Sequence, residues 1–265
     1  MKWLAVIGVA VLALALLAMG WGGGQGAALN VVGSTSIQPF AEILAQEFNR
    51  TSDFAVDVQG GGSTAGLQAA ANGIADIGMC SRGLKEDESG LFQVVTIARD
   101  GLAVVIHLDN PVADLTREQI GRLFAGEYTS WTQVGGPDRP VRLITREEGS
   151  GTREAFQKLV MHKRRIARRA LTQESNGSVK ELVRHDRCAI GYMSLGLVGP
   201  DLKVIRVDGA PPTAEEVLAG RYPLVRPFLF VTKGPPGPRA RQFIDFVLSP
   251  PGQQMLMREG LVGSQ

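Results

Sequence analysis

The chain has 265 residues, 44% hydrophobic and 20% charged, which excludes a disordered or fibrous protein and leaves room for one large domain or two lobes. A net charge of +2 leaves no electrostatic footprint for nucleic acid. With 33 glycines and 6% aromatics the chain suits a loop-rich α/β protein better than a base-stacking platform.

Lys2 precedes an apolar run from Trp3 to Ala18, and a mostly small-residue stretch follows to Gly26. This is the pattern of a secretory signal with Ala18-Met19-Gly20 or Gly24-Gln25-Gly26 as cleavage zone, or of an uncleaved anchor. Residues 1–26 are read as signal peptide or N-terminal anchor plus linker, and the protein as exported, periplasmic or extracytoplasmic. No cysteine lies near the cleavage zone to carry a lipid, and Cys80 and Cys188 are expected as free, buried thiols.

Residues 28–32 read as a strand that ends at Gly33-Ser34-Thr35-Ser36. A helix is predicted over 37–48, where Phe40, Ile43, Leu44 and Phe48 recur at three- and four-residue spacing. Residues 54–59 alternate as a second strand that stops at Gly60-Gly61-Gly62-Ser63, before a helix over 64–72. Residues 75–80 form a third strand ending at Ser81-Arg82. This β-α-β-α-β order predicts right-handed crossovers and a parallel sheet with helices on its faces.

Runs 91–98 and 102–107 are both β-prone and flank Arg99-Asp100-Gly101. A helix is predicted over 116–124, a loop over 131–136, a strand over 141–145 and a helix over 154–160. Further helices are expected at 179–184, 214–218, 240–248 and 252–258, with a strand at 188–192 and a long β-run at 222–232. The runs near 95–107 and 222–232 read as paired crossings between two lobes. Lobe one then comprises 27–100 and 230–265, and lobe two 101–229. The densest charge run, residues 162–169, reads as a solvated helix face.

The hydroxyls fall in a pattern. Each of the first three strands ends in a hydroxyl-bearing loop, and the carboxyl edge of an open parallel sheet is where ligands bind. Opposite them, Arg146-Glu147-Glu148-Gly149-Ser150-Gly151-Thr152-Arg153 joins a strand to a helix, with Ser150 or Thr152 as N-cap. A helix start offers unpaired N–H donors and partial positive charge, and a guanidinium fork matches a tetrahedral oxyanion. The two sets are expected to face each other across a cleft that closes by hinge motion.

Enzyme signatures do not fit. Glu148 occupies the first glycine position of a G-x-S-x-G elbow around Ser150, and no glycine loop ends in G-K-[ST]. His107, His162 and His185 have no metal spacing. Glu147-Glu148 could be an acid/base pair, but adjacent side chains point apart. A non-enzymatic binding protein without cofactor or metal is the expectation, and a phosphate-ester hydrolase the weaker alternative.

The segments Gly33 to Ser36, Gly61 to Gly66, Asp76 to Arg82, Arg146 to Arg153, Ile190 to Leu195 and Arg226 to Leu229 resemble, in order and spacing, the phosphate-binding proteins of phosphate-specific ABC importers. The resemblance covers essentially the whole chain after the leader. It implies a two-lobed periplasmic-binding-protein fold of type II, each lobe a mainly parallel sheet flanked by helices, with two hinge crossings. It implies phosphate held by Thr35, Ser36, Ser63, Ser81, Arg146, Ser150, Gly151 and Thr152, and handed by a monomer to membrane permease subunits. Some members carry Asp where this chain has Arg82, and that carboxylate accepts the proton of hydrogen phosphate and so rejects sulfate. Arg82 adds a second cation to the expected set, and Asp100 is the candidate replacement reader, its other reading being a turn residue before Gly101. A receptor for sulfate, molybdate or tungstate is the alternative within this class.

Overall fold

The computed structural model describes residues 28–264. The expected leader, its cleavage site and its anchoring role lie outside the described residues. Among these, no helix is long and apolar enough to cross a membrane.

The N-terminal half is built as its periodicity predicts. Strands β1 (Leu29–Gly33), β2 (Val56–Gly60) and β3 (Ile77–Cys80) pair in parallel in the order β2-β1-β3. Helices α1 (Gln38–Phe48) and α2 (Ser63–Ala71) are the crossovers. Every residue of β3 is buried, as befits a central strand paired on both edges, parallel to β1 and antiparallel on its other side.

The first departure is β4, a continuous 14-residue strand from Gln93 to Ile106 where two runs and a turn were expected. Asp100-Gly101 is not a turn because Asp100 has a cross-strand partner. Strand β11 (Val225–Thr232) pairs antiparallel with β4, and its register sets Arg226 directly opposite Asp100. Opposite charges across a strand pair stabilise the extended form. β11 also pairs antiparallel with β3, and β4 pairs antiparallel with β8 (Ala189–Ser194). Beyond β8 lie β6 (Arg142–Arg146) and β7 (Leu171–Gln173), parallel to one another, giving the path β2-β1-β3-β11-β4-β8-β6-β7.

Two cores sit either side of the β4/β11 crossing. The first gathers Phe40, Phe48, Phe54, Phe228, Phe230 and Phe243 with Ile97 and Ala98. The second begins at Leu102 and contains Trp131, Phe124, Phe156 and Tyr192. Phe156 stacks on Tyr192 at 4.0 Å, which ties the helix after the Arg146 loop to β8. Each such buried side chain contributes about 1.5–3 kcal/mol. Helices α7 (Pro238–Leu248) and α8 (Pro250–Arg258) return to the first core.

Residues 162–169 are irregular rather than a solvated helix face. Helix α4 (Gly151–Phe156) passes into a π-turn (Gln157–Met161), and His162 adopts a left-handed φ of 51°. Gln157 Nε2 donates to the Arg164 carbonyl, Ala167 N to that of Phe124, and Ile166 packs on the second core. Cys80 and Cys188 are both free, Cys80 buried and Cys188 half-buried.

Candidate functional site

The strand ends of the first half and the start of α4 meet in one buried knot of hydroxyls. Ser34 Oγ donates to Ser81 Oγ at 2.8 Å, and Ser81 Oγ lies 3.3 Å from Ser63 Oγ. From the other wall, Thr152 Oγ1 lies 2.7 Å from Ser36 Oγ. All five side chains are at most 2% exposed. The walls also touch through backbone, Thr64 N donating to the Gly149 carbonyl at 3.1 Å.

Glycine is required where the walls come closest. A Cβ on Gly151 would lie 2.2 Å from Ser63 Oγ and 2.6 Å from Ser81 Oγ, so only a bare backbone brings the first N–H groups of α4 to the hydroxyls. Gly149 makes the preceding turn at φ 88°.

Ser36, Ser63, Ser81, Gly151 and Thr152 are therefore brought together as expected from the sequence. Thr35 and Arg146 lie beside them, Arg146 Nη2 donating to Thr35 Oγ1 at 2.9 Å. Arg146 is 1% exposed and is held by Glu147 through Nε (2.9 Å) and Nη2 (3.0 Å), and by the Gln173 and Glu174 carbonyls. Its buried Nη1 has no hydrogen-bond partner among the described residues. Ser150 is the N-cap, its Oγ accepting from Arg153 N at 3.3 Å, so its hydroxyl serves the helix rather than the knot.

Arg82 is not in the knot. Its guanidinium binds Glu88 through Nη1 (2.7 Å) and Nη2 (2.8 Å), and its Nε lies 3.0 Å from Glu154 Oε2 at the rim. Two nearby carboxylates outcompete an inward course.

The second cation at the knot is Arg226, which sequence reasoning placed only in a resembling motif. Its Nη1 donates to Thr152 Oγ1 at 2.7 Å and to Ser81 Oγ at 3.4 Å, so one guanidinium spans both walls. Behind it Asp100 Oδ2 lies 2.9 Å from Nε and 2.8 Å from Nη2. The Nη2 contact is charge proximity, since that nitrogen makes no aligned hydrogen bond. Asp100 Oδ1 accepts from Ser194 Oγ at 2.8 Å. Burial pushes the Asp100 carboxyl up, and Arg226 opposes that rise. Burial pushes the Arg226 guanidinium down, Asp100 opposes it, and the like charge of Arg146 adds to the lowering. Asp100 therefore orients Arg226 and does not itself reach the hydroxyls.

A signal for this pair was present in the sequence. Asp100 is the lone acid of the strand 93–106 and Arg226 the lone charge of the β-run 222–232, and the two runs were read as paired crossings between lobes. Asn176 was also missed: Nδ2 donates to Ser36 Oγ at 3.0 Å while Oδ1 accepts from Ser194 N. In sequence it reads as an ordinary residue at the start of α5 (Asn176–His185).

Fold and site together define a two-lobed binding protein whose cleft is lined by buried hydroxyls, helix-terminal amides and arginines. A family model for the PBP superfamily domain matches residues 22–251. A Clostridium perfringens protein described as a phosphate ABC transporter substrate-binding protein, solved with bound phosphate, is 37% identical. It superposes with a TM-score of 0.87 over 90% of this chain and 100% of its own. An ABC-type phosphate transport receptor from Vibrio cholerae is also 37% identical, with a TM-score of 0.77 over 88% of this chain and 99% of its own. The phosphate-binding protein PstS of Bacillus subtilis is 28% identical over 87% of this chain and 78% of its own length. The chain belongs to the PBP superfamily, in its branch of Pst-type phosphate-binding proteins.

Proposed function

We propose that this protein is an extracytoplasmic receptor that captures inorganic phosphate in the knot and delivers it to the permease of an ABC importer. It acts as a monomer and catalyses no reaction. The observation that carries this reading is Arg146, a fully buried guanidinium whose Nη1 has no partner among the described residues and whose Nη2 reaches the Thr35 hydroxyl of the facing wall.

Phosphate oxygens would take hydrogen bonds from Thr35, Ser36, Ser63, Ser81 and Thr152, from the amides that open α4, and from Arg146 and Arg226. An anion would also relieve the repulsion between the two arginines. Hydroxyls both donate and accept, so they suit an anion that still carries a proton. Neither Asp100 nor Glu147 offers a free carboxylate, since each is held by an arginine. That arrangement favours one second reading, a receptor that also admits sulfate. Calorimetric titration with phosphate and sulfate on both sides of the second phosphate ionisation tests both readings. Micromolar or tighter phosphate binding supports the first, and equal affinity for sulfate the second. Binding of neither anion overturns both.

The lobe boundaries expected from sequence, 27–100 with 230–265 and 101–229, are carried into this proposal. The core on one side reaches Ile97, Ala98 and Phe228, while that on the other begins at Leu102 and includes Leu224, which supports crossings at residues 99–101 and 225–227, the second a few residues before the boundary expected at 229/230.

A further inference from the structure

Glu154 lies two residues past Thr152 on α4, yet its carboxylate engages the opposite lobe rather than the knot. Oε2 lies 2.8 Å from Lys85 Nζ and 3.0 Å from Arg82 Nε, and Oε1 accepts from Thr64 Oγ1 at 3.4 Å. The Arg82 Nε contact is charge proximity without an aligned hydrogen bond. Arg82 is fixed independently of Glu154. Glu88 holds it through two nitrogens, the Gly83 carbonyl accepts from Nη1, and Glu88 Oε2 also accepts from Lys85 N at 2.8 Å.

We infer that Glu154, Arg82 and Lys85 form an electrostatic clasp that holds the lobes together over the captured anion and sets how fast it leaves. The inference rests on the reading of the knot as a phosphate site. Three features carry it.

The clasp joins groups from both lobes, and all its lobe-one members belong to the loop that begins at Ser81, itself a member of the knot. Its lobe-two member is on the same short helix as Gly151 and Thr152, so knot and clasp separate together when the cleft opens. Arg82 is already oriented by Glu88, so closing immobilises little beyond the Glu154 side chain.

The clasp is also partly sheltered. Side-chain exposure is 5% for Arg82 and 24% for Glu154 against 53% for Lys85, so the Arg82 contact is screened less than a surface pair and the Lys85 contact more. These are positioning residues, because none of their contacts reaches the knot.

The test is stopped-flow phosphate release from the full-length protein and from Glu154→Gln, which keeps the side-chain volume and removes the charge. Glu154→Gln should raise koff about 2–5-fold, the upper part of the range for solvent-reachable ion pairs, and leave kon within about twofold. Release from the unmodified protein should quicken as salt rises to about 0.5 M, whereas release from the variant should not respond. A double variant with Arg82→Gln should release no faster than Glu154→Gln alone. An unchanged koff with an unchanged salt response would overturn the clasp. Failure of the unmodified protein to take up phosphate would overturn the phosphate reading instead. Small-angle scattering of the ligand-free proteins then decides the clasp separately. A larger radius of gyration in Glu154→Gln supports it, and an equal radius sinks it.

Discussion

Arg226 and Arg82 both lie against Ser81, one through its guanidinium and the other through the chain, and their surroundings give them opposite tasks. Arg226 is buried with a single carboxylate behind it, so its outer nitrogen is free to reach the hydroxyls of both walls. Arg82 is flanked by two carboxylates, which take up its guanidinium at the rim. The arginine type alone does not define a ligand. What defines it is how many of its donors the protein leaves unspent.

The comparison is broken most sharply at Arg226. Arg226→Ala would strand Asp100 in the core without a partner. Removing one member of a buried pair costs about 3–5 kcal/mol, which lowers Tm on the order of 10 °C in a chain of this size. Replacing both members, as Arg226→Met with Asp100→Leu, should restore most of that stability without restoring phosphate affinity, because the pair's stability role and its anion role are separable. Thermal unfolding and titration of the two variants check this. A double variant that binds phosphate normally would remove Arg226 from the site.

Arg146→Ala tests the cation with the free Nη1. Charge-assisted hydrogen bonds contribute about 1.5–3 kcal/mol each, so phosphate affinity should fall by at least about tenfold. Arg82→Gln should lower it by less than about tenfold, through the rim alone. Equal losses would erase the distinction between the two arginines. Gly151→Ala falls between them. Its methyl would press on Ser63 and Ser81 and hold the walls apart, so titration should show weaker binding with an unfolding temperature close to that of the parent.

Much of this site was legible in the sequence because it is built from strand ends. A parallel βαβ order puts each strand's carboxyl end on one edge, so Ser34–Ser36, Ser63 and Ser81 had to converge, and they do. The strand-to-helix step at Arg146 to Arg153 was legible for the same reason. Side-chain course was not. Arg82 is turned outward by Glu88 in its own loop and there meets Glu154, 72 positions later, and no local pattern reports either contact. Asp100 was read beside Gly101 as a possible turn because its partner is 126 positions away. Residues 162–169 were read as helix from charge density, while Ile166 and a carbonyl on another helix decide their course.

The smallest expected effect lies with Glu88, which holds Arg82 outward. Its carboxyl is held below the ordinary value of 4.5, chiefly by the hydrogen bonds from Arg82. For an acid whose pKa is lowered on folding, the unfolded chain binds the proton more readily. The stabilisation is then complete above the ordinary value and is lost as pH falls through the lowered one. Glu88→Gln should therefore be less stable than the parent at neutral pH, and the two unfolding temperatures should converge in acid below about pH 4.5. The pair is at the rim and partly solvated, so the neutral-pH gap should be no more than about 1 kcal/mol, or 2–4 °C. Phosphate affinity should move less in Glu88→Gln than in Arg82→Gln, because the first keeps the Arg82 contact to Glu154 across the cleft and the second removes it. A gap that persists unchanged into acid would mean that Glu88 acts through packing rather than through charge.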